Sequence, residues 1–420
     1  MKRLPIFTLL VTNFISGLGN SMTALAVPWF VLETTGSATR TGLTAAAATI
    51  PTVIASFFGG ALVDRVSRRG LSIFADAVSA LTLAAIPILY TLDALTFPLL
   101  LALMFAGAIF DAPGSTARSA MVPVFAERGE IALERVNSAF GINQAISALI
   151  GAPIAGILVA AMGATNVLWF AVGAFVISIL GMALLVPATQ IASGPAENYL
   201  AAVKGGVGFV LRNRLLRTMI LMSVTINFIF TPIFGIAIPY LAKNEYGSAR
   251  DLGFLESTLG LGMLGGALLY GAVSQRVSNR MLCLASVFLM GAGLAAMAMI
   301  PPLLVACLLM IVVGIATGLV NPLVQTFVQL RTPPDMMGRV LGVLISGAMM
   351  ASPVGLLIGG GVISGLGLAM TFLLSGAVIG VVFIAGAFSP ALRDLDQPPT
   401  DGPAGGPVIA TPELGTAPIA

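Results

Sequence analysis

Twelve apolar stretches of membrane-spanning length, separated by short charged or turn-forming segments, leave this chain few folds to choose from. A helix needs about 20 apolar residues to cross a bilayer. Such runs fall at 4–32, 41–63, 71–92, 95–118, 137–161 and 166–187, and again at 216–242, 252–274, 281–300, 303–329, 340–364 and 367–389. Inside lipid the backbone must satisfy its own hydrogen bonds, which only helices and closed barrels achieve. A barrel would show alternating segments of about ten residues, whereas these runs are long and punctuated by Gly and Pro. Only 9% of the residues are charged, against about 25% in a soluble domain, so a soluble surface of this size cannot be covered. The expected class is an all-α membrane protein with twelve transmembrane helices.

Lys2 and Arg3 precede the first run, and Ala24-Leu25-Ala26 mimics a signal-peptidase site. The run nevertheless continues to Leu32 and is interrupted by Asn13 and Asn20, unlike a signal core of roughly 7–15 unbroken apolar residues. An uncleaved first helix is expected. Orientation follows from Lys and Arg, which accumulate in cytoplasmic loops. With the N-terminus inside, 17 of the 20 basic residues fall on the cytoplasmic side and three, Arg40, Lys243 and Arg250, on the other. An odd number of spans would scramble that asymmetry. The expected location is the inner (plasma) membrane, multi-pass, with both termini cytoplasmic.

A ten-residue signature occurs twice. Gly60-Ala-Leu-Val-Asp-Arg-Val-Ser-Arg-Arg69 begins at the end of the second run, and Gly271-Ala-Val-Ser-Gln-Arg-Val-Ser-Asn-Arg280 at the end of the eighth. Six of the ten positions are identical at an offset of 211 residues. Two related halves, each crossing the membrane several times, are the sequence mark of a secondary transporter. The expected division is an N-terminal six-helix bundle over 1–187, a cytoplasmic linker over 188–215, a C-terminal bundle over 216–389 and a disordered cytoplasmic tail over 390–420. The tail is rich in Pro, Gly and Thr and cannot bury enough apolar surface to fold.

The segment Gly60–Arg69, between spans two and three, resembles the cytoplasmic loop signature of the major facilitator superfamily, and Gly271–Arg280 stands where that family has its second copy. Ser16-Gly-Leu-Gly19 through Val27-Pro-Trp29, Glu33-Thr-Thr-Gly-Ser37, Asp111-Ala-Pro113 and Gly338-Arg-Val340 are similar to the branch of macrolide and other drug efflux pumps and siderophore exporters. Gly151-Ala-Pro-Ile-Ala-Gly156 resembles the antiporter motif of span five, with Ala152 replacing a usual Gly. The Arg that many drug/proton antiporters carry midway along span four is missing between Phe105 and Phe110. The resemblance implies two pseudo-symmetric six-helix bundles of the major facilitator fold, with spans one, four, seven and ten lining a central cavity.

It also implies a conformational latch. Asp64 would face the N-terminus of span eleven near Arg339, where the helix dipole favours a carboxylate. Arg65, Arg68 and Arg69 would anchor the loop to anionic lipid or nearby acids. In the second half Gln275, with Arg276 and Arg280, would make a weaker, uncharged counterpart against span five. The competing reading is a helix cap at Asp64 beside arginines that only set topology.

Acids within spans are costly in lipid and functional by default. Asp111 is a candidate proton carrier or a gate residue paired with Arg118, seven residues on. Asp76, in span three, is a further candidate proton or gate residue, the competing reading being a buried partner to the signature arginines. Glu256 lies near the outer end of span eight, where an exposed carboxylate is cheap. Asn13, Ser16, Gly17, Asn20 and Thr23 share one face of span one at three- and four-residue steps. Asn227 and Thr231 in span seven, before Pro232, and Asn321, Gln325 and Gln329 in span ten extend the candidate substrate cavity. Interhelical hydrogen bonding is the alternative for these stripes. Phe14, Trp29, Phe228, Phe230 and Phe234 are possible apolar contacts.

Histidine is absent, and Cys283 and Cys307 lie in separate runs, so no metal site is expected. No clustered ligands or nucleophiles suggest a membrane enzyme, no phosphate-binding loop suggests direct ATP use, and the dispersed basic residues form no nucleic-acid patch. The expected function is secondary active transport by alternating access, with proton-coupled efflux of a hydrophobic or amphipathic small molecule as its specific form. The expected partners are a small-molecule substrate, a proton or other coupling ion and membrane lipid, with a monomeric protein and no cofactor. Metabolite uptake by ion symport and a ligand-binding sensor that does not transport are the rivals.

Overall fold

Each apolar run becomes one helical span. A computed structural model describes residues 3–63, 66–187, 199–274, 276–332 and 337–396. The first half holds α1 (Leu4–Thr35), α2 (Ala38–Val63), α3 (Arg68–Thr91), α4 (Phe97–Arg128), α5 (Leu133–Met162) and α6 (Ala164–Leu185). The second holds α7 (Arg214–Tyr246), α8 (Ala249–Val273), α9 (Asn279–Met297), α10 (Leu303–Arg331), α11 (Met337–Leu366) and α12 (Leu368–Phe388). No strand forms among the described residues. The end of the bundle where Leu4 lies is called the near face, and the end where Thr35 lies the far face.

The two halves repeat at the level of single turns. Between α1 and α2 the chain reverses at Gly36 (φ 64°), and between α7 and α8 at Gly247 (φ 79°). Gly163 (φ 84°) and Gly367 (φ 81°) occupy the α5–α6 and α11–α12 turns. All four have positive φ, which glycine reaches without a Cβ penalty, and Gly36 and Gly247 are left-handed helix caps. At Gly36 the backbone N–H closes the last turn of α1 on the Leu32 carbonyl.

The largest departure from the sequence expectation is α4, which runs on to Arg128 instead of ending near residue 118. Arg118 looks like the edge of a span but is buried against neighbouring helices. The helix also breaks, with segments at Phe97–Ala108 and Asp111–Arg128. Pro113 has no N–H to give the carbonyl four residues earlier, at Ile109, which is where the break falls. Helix α7 changes pitch after Pro232, where Ile233–Ala237 forms a π-helical turn.

The halves meet most closely on the far face. A Cβ on Gly42 of α2 would come within 2.7 Å of the Leu356 carbonyl of α11, and one on Gly360 within 2.8 Å of the Ala38 carbonyl. Thr39 donates to the Gly360 carbonyl at 3.3 Å and shares a 2.9 Å hydrogen bond with Ser364. Gly156 of α5 packs equally tightly on the Ala249 carbonyl and Gly253 of α8. Small residues allow this backbone-to-backbone approach. Gly262 and Gly266 of α8 pack instead on Ile311 and Ile315 of α10, inside the second half.

Two polar segments outside the spans are helical. Tyr199–Arg212 of the linker is a helix, and Pro390–Asp396 is a 3-10 helix that buries Leu392 and Leu395. The disorder expected over 390–420 does not hold for Pro390–Asp396, where Ala391, Leu392 and Leu395 supply a buried apolar face. Residues 188–198 and 397–420 lie outside the described residues.

Candidate cavity and buried ion pair

Where α4 restarts after its break, Asp111 stands in the first turn of the new segment. One turn later Gly114 lets α4 approach α3, since a Cβ there would meet that of Ala75 at 2.6 Å. The next turn brings Arg118 across to α3. It donates to Ser72 Oγ from Nε (2.9 Å), to Ser16 Oγ of α1 from Nη1 (2.9 Å), and to Asp76 Oδ1 from Nη2 (2.5 Å). Asp76 also accepts from Ser16 (3.1 Å) and from Ser178 of α6 (2.7 Å). The pair is 5% exposed on each side and joins four helices. A buried ion pair persists when hydrogen bonds satisfy both partners, as here.

Arg118 is thus the partner of Asp76, and the anticipated pairing with Asp111 is not made. The seven-residue spacing puts Asp111 and Arg118 on one face of an unbroken helix, but Asp76 lies directly across the α3–α4 contact. Among the described residues, Asp76 binds neither Arg68 nor Arg69 of the signature. Asp111 accepts a hydrogen bond from Ser79 Oγ at 3.2 Å and has no ion-pair partner among the described residues.

Asp111 and Asn20 stand where two cavities adjoin. The larger, of about 650 Å³, is walled by α1–α4 and α6 of the first half and by α7, α8 and α11 of the second. Its surface is mainly apolar, with Leu103, Met104, Phe175, Phe230 and Phe234. Phe230 and Phe234 form a tilted pair with centroids 5.4 Å apart. The smaller, of about 200 Å³, is polar and runs from Asp111 to Asp76 and Arg118.

The span-one stripe borders these spaces: Asn13, Ser16, Gly17 and Asn20 the smaller, Asn20 and Thr23 the larger. Ser16 is committed to the ion pair. Thr231 lines the larger cavity and hydrogen-bonds Ser352. Asn227 donates to the Ser223 carbonyl of its own helix, and exposed Asn321 and Gln325 line neither cavity. The Gln329 side chain lies outside the described residues. Among the described residues no three His, Cys, Asp or Glu side chains gather as metal ligands.

The largest surprise is Glu256. It lines the larger cavity, although its depth in the chain suggests an exposed interfacial acid. Ala249, Gly253 and Gly260 lie at helical spacing with it, and all three face α5: Ala249 and Gly253 against Gly156, Gly260 against Leu149. That stripe of small residues marked the side of α8 turned toward the first half.

The repeated signature builds matching caps. Ser67 accepts from the Gly70 N–H at the start of α3, and Ser278 from the Met281 N–H at the start of α9, each at 3.2 Å. Arg69 donates to the Ala183 carbonyl in the last turn of α6, and Arg280 to the Ala387 carbonyl in the last turn of α12. Arg68 reaches the Ala120 carbonyl of α4 at 2.9 Å. Cations at helix C-termini complement the macrodipole. The partners of these three arginines are carbonyls of their own half, where acids or lipid were expected for Arg68 and Arg69 and a contact toward span five for Arg280. Arg276 is exposed. Asp64, Arg65 and Gln275 lie outside the described residues, as does the side chain of Arg339.

Comparison with known proteins adds a family. Residues 3–403 match the family model described as transmembrane secretion effector. The chain is 33% identical over 405 residues to the multidrug efflux pump Tap of Mycolicibacterium fortuitum, covering 94% of this chain and 98% of that one. It is 23% identical to macrolide efflux protein A of Streptococcus pyogenes, over 94% and 98% of the two chains. The fold is similar to that of the nucleoside transporter NupG, with a TM-score of 0.75 and 15% identity over 91% of this chain and all of that one.

Proposed function

The chain belongs to the transmembrane secretion effector family of the major facilitator superfamily, and from that membership we propose that it is a proton-coupled exporter of hydrophobic or amphipathic small molecules, working by alternating access. The observation that carries this reading is the 650 Å³ cavity, mainly apolar and walled by both halves, beneath a far face closed by glycine contacts. Drug-sized ligands fill apolar pockets of about 300–1,000 Å³. Because each wall belongs to a different half, rocking one half against the other would open the far face and expose the same cavity there. The efflux relatives favour outward transport.

In this reading the near face is cytoplasmic, as the basic residues of the sequence indicate, and the chain works as a monomer in the plasma membrane. Asp111 carries the coupling proton. It faces both the substrate cavity and the polar cavity, and among the described residues no cation holds it in its charged form by direct pairing. Asp76–Arg118 acts as a fixed strut. Asp64 latches the two halves at the start of α11 when the cavity opens to the far side, as the family resemblance implies.

The test is transport of a panel of lipophilic drugs into inverted membrane vesicles energised by a proton gradient. Accumulation should collapse with an uncoupler and be lost in Asp111→Asn, while Asp64→Asn slows it without uncoupling it. Accumulation that ignores the gradient, or survives in Asp111→Asn, would overturn the proton assignment.

A further inference from the structure

We propose that the cavity selects molecules bearing a protonated amine, and that Glu256 is the residue that recognises it. The proposal rests on the export reading above and names its substrate class.

Hydrogen-bonding polarity is the first ground. Five of the six threonines around the larger cavity spend their O–H groups on their own helices. Thr23 donates to Gly19, Thr44 to Arg40, Thr49 to Ala45, Thr52 to Ala48 and Thr82 to Val78, at 2.8–3.0 Å. What these hydroxyls can offer a ligand is oxygen lone pairs. No Lys or Arg side chain lines the cavity among the described residues. The lining is therefore rich in acceptors, and a ligand with N–H donors and positive charge complements it.

Position is the second ground. Asp111 has Ser79 as a donor, but Glu256 has no hydrogen bond or ion pair to any described residue. It is a carboxyl in a mainly apolar wall with its partner missing, and a polar group so placed is costly until something meets it. The titratable groups facing it across the cavity reduce to Asp111, with Asp76 and Arg118 committed to each other behind it. Glu256 also lies between Gly253 and Gly260 on the face of α8 that packs on α5. Separation of α5 from α8 at the far face would bring water to it, so a bound ammonium would be released there.

A matched pair of fluorescent probes tests this. Dansylcadaverine carries a primary amine that, like that of lysine, is protonated at pH 7; its N-acetyl derivative is uncharged and of similar shape. Binding of each to the full-length protein in nanodiscs is measured against empty nanodiscs. The wild type should bind the ammonium form about tenfold or more tightly than the acetylated form. Glu256→Gln should bring the two within about threefold with acetylated-probe affinity unchanged, while Glu256→Asp and Asp111→Asn keep most of the preference. A second readout needs no variant: the ammonium probe, and not its acetylated form, should slow modification of Glu256 by dicyclohexylcarbodiimide, followed by peptide mass spectrometry.

A wild type that binds both probes equally, a Glu256→Gln protein that keeps the preference, or a preference lost only in Asp111→Asn would each overturn the role of Glu256. A wild type that binds neither probe and exports no lipophilic compound would instead overturn the export reading beneath it.

Discussion

Lys243, near the end of α7, donates from Nζ to the carbonyl oxygen of Leu32, in the last turn of α1. The two residues are 211 positions apart, the offset that separates the two signature copies. Equivalent ends of equivalent helices thus meet across the pseudo-twofold axis, and the contact is asymmetric: a cation from the second half caps the helix of the first. Glu33 stands next to it, exposed. The bond joins the halves on the closed far face, so under the proposed alternating access it would have to break for that face to open.

Replacing Lys243 by Met should therefore loosen far-face closure. A hydrogen bond from a charged group is worth about 1.5–3 kcal/mol when well shielded and less where water reaches it. A shift of about 1 kcal/mol, roughly fivefold in the far-open population, is expected. Labelling of a cysteine at Thr39 by a membrane-impermeant maleimide should rise by that factor. Unchanged labelling would mean that the glycine contacts alone hold the face closed.

The Thr39–Ser364 contact gives a direct test of the same closure. The two hydroxyl oxygens are 2.9 Å apart and belong to opposite halves. A Thr39→Cys/Ser364→Cys protein should cross-link under mild oxidation and stop transporting, and a reductant should restore it. Gly360→Val should prevent the cross-link, because a side chain there meets the Ala38 carbonyl and the Thr39 backbone. Full transport in the cross-linked protein would rule out any need for these ends to separate.

The Asp76–Arg118 pair predicts a stability pattern independent of transport. Removing one partner leaves an uncompensated charge among α1, α3, α4 and α6, at a cost of about 3–5 kcal/mol. Asp76→Leu and Arg118→Met should each lower the thermal unfolding temperature of the purified protein sharply. The double variant, which removes both charges, should recover much of the loss. Additive losses would show that the network acts through its separate hydrogen bonds.

Much of this architecture was legible beforehand. The spans follow from hydropathy because lipid forces each run into a self-satisfied helix, and the repeat announces the two halves through its Gly, Ser and Arg positions. The site was harder. Arg118 was matched with Asp111 because a sequence displays neighbours along one helix, while its partner Asp76 arrives from another. For Glu256 depth along the span misleads and the helix face decides, and the small residues at 249, 253 and 260 hold that information. The partners of Arg68, Arg69 and Arg280 were not legible, since main-chain carbonyls at the ends of distant helices leave no mark in the sequence.

Those arginine caps allow one further comparison that the repeat makes internally controlled. Arg69 and Arg280 close the C-terminal turns of α6 and α12, and in both the Nε is buried without a partner among the described residues. Each guanidinium therefore gives up hydration for its carbonyl contact, so the net contribution should be modest, about 1–2 kcal/mol per site. Arg69→Gln and Arg280→Gln should lower the unfolding temperature by similar amounts, and Lys at either position should retain part of the effect by keeping a charge at the helix end. The two losses should add, because the sites lie in different halves and share no contact. If Arg69→Gln instead abolishes transport at unchanged thermal stability, while Arg280→Gln costs stability alone, the first copy of the signature has a conformational role that the second has lost. Asp64, present only in the first copy where the second has Gln275, would then be the residue to examine with it.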